Sequence, residues 1–405
     1  MSIPTVFRPS LRVRAAGMML FVLAILLVPA CPPFRTPFTS ATVDLAVGDA
    51  GNAPFQFKML PHPQILLYFD VLNAGSRPNP DVVLSGDVLP IGHPDSIIFD
   101  GADMYVGDSV MGTVSIWRDY RSIGNNQSAD VVLGIPSGIA SARKIALDNG
   151  ILVVLDTEEN KVLLFRHAST LNDGDAPDVV LENVGNARDM AVADGNLFVS
   201  SFSFVGESAQ GKVHVFRDLA TIEADAPRDV VLTGPSFLDQ PFVWPDTLAV
   251  FNNHLFVFGQ FTHHIFVFSS ADDLVHQQPP DLVFGGPATA GLSSITSFAA
   301  WNESLFVAND EFSQNIGIAA YRPLTDLEPG QEPFALLDGY HSLVPGVISA
   351  TAEAGALFLA TSYAGFGDVQ VFRRAELLRD GQRADIVIAH GEDVLVPVAV
   401  AAQES

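Results

Sequence analysis

The chain has 405 residues, 48 % of them hydrophobic, with 46 Asp plus Glu against 21 Lys plus Arg and a formal charge of −25. A surface this acidic repels nucleic acid and anionic lipid, so nucleic-acid binding is excluded and cationic or small-molecule partners remain. A single cysteine rules out a disulfide framework. One hydrophobic core stops growing near roughly 250–300 residues, so a chain this long is either several domains or a repeat array.

The first 30 residues differ in kind from the rest. Arg8, Arg12 and Arg14 precede an uncharged apolar run, Ala15 to Ala30 (AAGMMLFVLAILLVPA). That run falls short of the roughly 18 residues read as a membrane span. A positive start, a short apolar middle and a small residue at the end describe an export signal over residues 1–30. Its removal takes away three arginines and no acid, leaving a charge of −28. The lone Cys31 follows directly. Val28-Pro29-Ala30-Cys31 resembles a bacterial lipobox, which implies that Cys31 is lipidated and becomes the mature N-terminus, with membrane contact through that anchor only. Ordinary signal cleavage after Ala30 is the alternative. Residues 31–41 are Pro-rich and read as a stiff tether.

From residue 42 to 405 one pattern recurs seven times. It is clearest in VLLFRHASTLNDGDAPDVVL from Val162, VHVFRDLATIEADAPRDVVL from Val213 and VQVFRRAELLRDGQRADIVI from Val369. An aromatic residue marks each copy: Phe69, Trp117, Phe165, Phe216, Phe268, Tyr321 and Phe372, spaced 48 to 53 residues apart. Asp81, Asp130, Asp178, Asp229, Asp281 and Asp385 follow 12 or 13 residues later, and Phe334 takes that place in the sixth copy. A period of about 50 residues built from short strands means stacked supersecondary units. Within Ala142 to Leu181, four β-branched runs are separated by turn chemistry at Asn149-Gly150, TEEN and NDGDAP. Four short antiparallel strands per copy define a blade, so the expected fold is all-β: one seven-bladed β-propeller, monomeric, after the signal segment.

The stretch Lys144 to Phe165 (KIALDNGILVVLDTEENKVLLF) resembles the NHL repeat at Ile145, Ala146, Asp148, Gly150, Asp156, Asn160, Lys161 and Val162. The resemblance implies a propeller of a type that includes protein-interaction scaffolds and a minority of enzymes. It covers residues 42–405, more loosely in the other copies.

Small residues recur on the expected inner strands, at Ala46, Ile98, Ala146, Ala191, Ala249, Ala299 and Thr351, where strands converge on a crowded axis. The aromatic column belongs between blades, where the space widens. Closing the ring needs a device, because an open ring leaves two strand edges. The tail VLVPVAVAAQES is the preferred inner strand of the first blade, with Ala399-Val400 matching Ala191-Val192; residues 42–48 are then an approach segment or extra strand.

The acidic loop LNDGDAPD (Leu171 to Asp178) has oxygen donors suited to calcium, but other copies of the same hairpin lack the acids, so it reads as a turn. Arg118, Arg166, Arg217, Arg322 and Arg373 follow the aromatics and are expected to pair with the Asp across the hairpin. No H-E-x-x-H, G-x-S-x-G or Walker loop occurs, and neither a catalytic residue, a metal site nor a cofactor is assigned.

One constellation carries a ligand hypothesis. The inner strands of blades two to five open with Asp95, Arg143, Arg188 and Asp246, and Asp189 lies one place further in. Strand starts on one face of a propeller surround the channel mouth, so these five groups form the candidate small-ligand site. The alternative is that the Asp-Arg-Arg-Asp order neutralises itself between blades. The leading functional reading is a non-catalytic exported binding or scaffold propeller for a protein or small ligand. The loops Gly234 to Pro245 and Gly339 to Val347 are a candidate recognition face. The second reading is an extracytoplasmic, lactonase-like hydrolase with its site at the mouth. Cys31→Ala tests the anchor: loss of the membrane fraction and of normal precursor processing is expected, and an unchanged fraction shows ordinary secretion.

Overall fold

A computed structural model of the chain describes residues 41–404 except 51–62, 76–77, 183, 206–207, 225, 234–243, 261, 285–291, 312–315, 340, 343, 345, 364–365 and 389–396. The export signal, Cys31 and most of the tether lie outside the described residues, as do most of the loop after Gly234 and part of the loop after Gly339.

Seven four-stranded antiparallel sheets are present. Blade 3 shows how sequence makes them. Ile151–Asp156 (ILVVLD) is buried along its whole length, because neighbouring blades cover both faces of the sheet. Leu152 and Val154 pack toward blade 2, while Ile151, Val153 and Leu155 pack toward blade 4. The inner hairpin turns at Asn149 (φ 49°) and Gly150 (φ 75°), the left-handed pair that a two-residue hairpin requires. Blade 3 runs outward from Ala142–Asp148 through Ile151–Asp156 and Lys161–Phe165 to Val179–Leu181.

Blade 1 is built from both termini. Its sheet runs from Pro397–Glu404 at the centre through Val43–Asp49 and Gln64–Tyr68 to Val82–Ser85. The tail is therefore the inner strand, as expected. Residues 43–49 are not a surplus segment: they are the second strand, with Ala46 opposite Ala401. Two register corrections follow. Val400 N donates to Ser349 Oγ as Ala350 N donates to Ser297 Oγ, so Ala401, not Ala399, is the counterpart of Ala191. Ala46 leaves the small-residue column of the inner strands, and Ala401 takes its place.

The aromatic column lies between blades, with one register slip. Trp117, Phe165, Phe216, Phe268, Tyr321 and Phe372 are at most 2 % exposed, each in a different interblade cluster. In blade 1 the member is Tyr68, 1 % exposed in the cluster joining blades 7 and 1, rather than Phe69. Phe69 occupies the place that arginine holds in later copies, which explains why no arginine follows the first aromatic.

The repeated Asp and Arg have separate tasks. Asp81, Asp130, Asp178, Asp229, Asp281 and Asp385 each accept a backbone N–H from the residue after the ring, at 2.6–2.8 Å, and so close the outer hairpin. The expected Arg–Asp side-chain pairing is not made. Instead each guanidinium crosses to a backbone carbonyl of the next blade: Arg118 to Ala168, Arg166 to Ile222, Arg217 to Leu274, Arg322 to Glu376 and Arg373 to Ala74, at 2.6–3.2 Å. The last of these joins blade 7 to blade 1. A carbonyl on the adjacent blade is a fixed acceptor, whereas an exposed carboxylate gives only about 0–1 kcal/mol. Where Phe334 replaces the sixth Asp, the Arg322 guanidinium carbon sits 4.2 Å from its ring centroid.

The acidic hairpin is consumed in the same way. Asp173 accepts Val132 N–H on the outer strand of blade 2, and Asp175 accepts Asn172 N–H within the turn. Asn125, Asn126, His276 and Asp380 likewise reach back to Val83, Ser85, Val231 and Leu336 on the outer strands of preceding blades. These contacts occupy edge N–H groups that would otherwise be open to another chain. The buried Asp108 and Asp156 at the ends of second strands collect three or more backbone N–H groups each and fix the loops that adjoin those ends.

The column correction is testable by denaturant unfolding. Tyr68→Ala is expected to cost about 3–5 kcal/mol, as for a buried ring truncated in a packed core, and Phe69→Ala less than half of that. Equal losses contradict the assignment.

Candidate functional site at the channel mouth

The inner strands start on one face and run down the axis, so residues near their starts ring the channel mouth. There they enclose a cavity of about 300 Å³ lined by His93, Asp95, Arg143, Lys144, Arg188, Asp189, Asp246, Thr247, Thr296, Ile348 and Val398. All five candidate residues, Asp95, Arg143, Arg188, Asp189 and Asp246, line this one space. A second cavity, about 490 Å³, continues along the axis and shares Asp95 and Lys144 with the mouth.

The next residue along most inner strands lines these cavities and also ties the ring together. Ser96 bonds the backbone of Ile145, Thr247 donates to Ile295 O, Ser297 bonds Ala350, and Ser349 accepts Val400 N–H. These hydroxyls stitch adjacent blades near the axis. Asp189 does the same through Oδ2, which accepts Leu248 N–H at 2.8 Å, and it is 7 % exposed.

The charges of the mouth are mostly matched in pairs. Arg188 meets Asp246 Oδ1 through Nη2 at 2.8 Å and Nε at 2.9 Å. Its guanidinium carbon also lies 5.7 Å from the Trp244 ring centroid, and Trp244 stacks on Phe202 at 3.9 Å. Lys144 Nζ is 3.0 Å from Asp189 Oδ1. His93 Nδ1 is 2.9 Å from Asp95 Oδ1, and Asp95 Oδ2 also accepts Ser109 N–H. Asp95 was expected to offset an arginine; it is taken by His93 instead. Arg143 is exposed and has no ion-pair partner among the described residues.

The Asp95 carboxylate raises the His93 pKa above its ordinary 6.5, against the smaller opposing effect of burial; Asp108 adds to the rise and Arg143 subtracts from it. His93 lies outside every strand, immediately before the inner strand of blade 2. Only its place two residues ahead of Asp95 signals its role in the sequence. Lys144 directly follows Arg143 on the inner strand of blade 3, but its pairing with Asp189 one blade on depends on how far each blade is rotated about the axis.

The three mouth carboxylates, each beside a cation, do not form a cage for a metal. Among the described residues no group of three or more His, Cys, Asp or Glu could hold a metal ion. Ser201 Oγ lies 2.7 Å from His214 Nε2, but both are buried within blade 4, and burial drives the His214 pKa down to about 3. Buried in this way, the pair holds two strands of the blade together.

No protein-family model matches the chain, and no curated protein does. Solved structures match along most of its length. A protein from Bacteroides fragilis NCTC 9343 described as a "putative 6-phosphogluconolactonase" is 13 % identical with a TM-score of 0.53, covering 90 % of this chain and 99 % of that one. Its counterpart from Bacteroides uniformis ATCC 8492 is 11 % identical with a TM-score of 0.55, covering 90 % and 100 %. Apo AztD from Citrobacter koseri is 9 % identical with a TM-score of 0.53, covering 90 % and 98 %. At such identities the likeness is one of fold. The class so defined is the β-propeller proteins, with seven blades here.

The His93–Asp95 pair can be read by NMR titration. His93 is expected to titrate above 6.5 and to move down toward that value in Asp95→Asn. Because the folded pKa is raised, this pair's stabilisation is full below the unfolded value and is lost as pH rises through the folded one. A His93 pKa unchanged by Asp95→Asn contradicts the pairing.

Proposed function

We propose that this protein is a binding propeller whose recognition site is the channel mouth and whose ligand is a small anion held by Arg143. One observation carries the reading. Lys144, Arg188 and His93 each face a carboxylate, whereas Arg143 lines the same cavity with no such partner among the described residues. A guanidinium in that position presents planar, forked donors to a carboxylate or phosphate. The neighbouring pairs hold the wall of the cavity in place, so little ordering is needed when a ligand enters.

The proposal includes an exported, lipid-anchored location. It is supported by the arginine-led apolar run and by Cys31 placed directly after it. The NHL-like character is proposed on the motif of Lys144 to Phe165. A second reading, a lactonase-like hydrolase, is favoured by the His93–Asp95 pair. An imidazole with a raised pKa beside an anion-binding arginine is the arrangement that proton transfer to a bound ester needs. The names of the two Bacteroides structures agree with that reading but do not carry it.

Calorimetric titration of the full chain in detergent with acetate, benzoate and inorganic phosphate tests the site. Binding of at least one is expected, weakened about tenfold or more by Arg143→Gln and unchanged by Arg383→Gln on the exposed rim. Binding equal in all three proteins overturns the proposal. Turnover of a sugar lactone that His93→Ala abolishes moves the assignment to the hydrolase.

A further inference from the structure

The lining of the mouth is divided. From blade 2 to blade 5 it is charged, with Asp95, Arg143, Lys144, Arg188, Asp189 and Asp246; from blade 6 round to blade 1 it holds Thr296, Ile348 and Val398. Ile348 and Val398 are partly exposed, so apolar surface faces the cavity on that side. Thr296 uses its hydroxyl on the Val347 carbonyl and has little left to offer a ligand. A site for a fully hydrated ion has no use for such a wall, which favours contact with an apolar group.

The charged side sets the ligand's charge. Each carboxylate of the mouth already faces a basic side chain: Asp189 faces Lys144, Asp246 faces Arg188 and Asp95 faces the His93 imidazole. One unmatched cation, Arg143, is left among the described lining residues. A single carboxylate fills the one place at which a lining cation has no anionic group opposite it. A dianion would bring a second negative charge into a cavity of about 300 Å³ already lined by three carboxylates, with no second unpaired cation among the described lining residues to meet it.

From these two halves we infer that the mouth takes a small monocarboxylate with an apolar body, its carboxylate on Arg143 and its hydrocarbon or aromatic part on Ile348 and Val398. The inference rests on the anion-binding reading above and narrows it. It distinguishes the ligand from inorganic phosphate and other polyanions by charge, and from acetate by the need for an apolar flank. Arg188, fixed by Asp246 and Trp244, forms the boundary of the charged half rather than a second anchor.

The test is calorimetry of the full chain with benzoate, benzamide, acetate and inorganic phosphate, on wild type, Arg143→Gln, Arg143→Lys and Ile348→Ser. Thermal unfolding of each variant is recorded alongside; Arg143 is exposed and unpaired, so its variants are expected to unfold like wild type. Benzoate should bind tightest, and benzamide, which keeps the ring but not the charge, about tenfold or more weaker. Arg143→Gln should remove the difference between the two, and Arg143→Lys should restore part of it. Ile348→Ser should weaken benzoate and leave acetate unchanged. Phosphate binding more tightly than benzoate, with Arg143 still required, overturns the monocarboxylate and leaves the anion site standing. Benzoate and benzamide binding alike overturns the role of charge. No binding of any probe, or binding indifferent to Arg143→Gln, removes both the inference and the reading beneath it.

Discussion

Every blade of this protein is apolar on both faces, and that governs the rest of the structure. A sheet with one wet face can stand at a surface, but Ile151–Asp156 is buried from end to end and is stable only between two other sheets. Seven such sheets satisfy each other in a ring, with one hydrophobic cluster at each joint. The polar repeats then secure the joints. Ser96, Thr247, Ser297 and Ser349 act near the axis, and Arg118, Arg166, Arg217, Arg322 and Arg373 act near the rim. Each is a side chain bonded to backbone on the neighbouring blade, so the link does not depend on a particular partner residue.

That last point explains which parts of the architecture can be read from the chain alone. The period of about 50 residues, the four strands per copy and the closing tail follow from patterns that lie within a single blade. Contacts between blades leave no such pattern, because a backbone carbonyl has no sequence signature. The recurring Arg and Asp were therefore visible as a pair twelve residues apart, yet they bond to different targets. The slip from Tyr68 to Phe69 has a different origin. Tyr68 stands 13 residues before Asp81, the spacing of the other copies, whereas Phe69 stands 12 before it, so the signal was in the sequence, and the pairing of Tyr68 with Leu45 agrees with it.

The mouth follows the same division. That Asp95, Arg143, Arg188, Asp189 and Asp246 converge was legible, since equivalent strand starts must meet around an axis. Who pairs with whom was not. Asp95 and Asp246 look symmetrical in sequence, one before and one after the two arginines, but His93 enters from a loop and takes Asp95. The asymmetry leaves Arg143 exposed while Arg188 is held on two sides. The apolar half of the mouth was also hidden, because Ile348 and Val398 read as ordinary strand residues until their place on the axis is known.

Blade 1 has a consequence for the order in which the molecule is made. Among the described strands, its second, third and fourth are synthesised first and its innermost, Pro397–Glu404, last. Until that segment exists, Val43–Asp49 has one row of backbone groups unpaired and the ring cannot close. Earlier blades can stack as they emerge, but the closed molecule forms only after translation has passed residue 404.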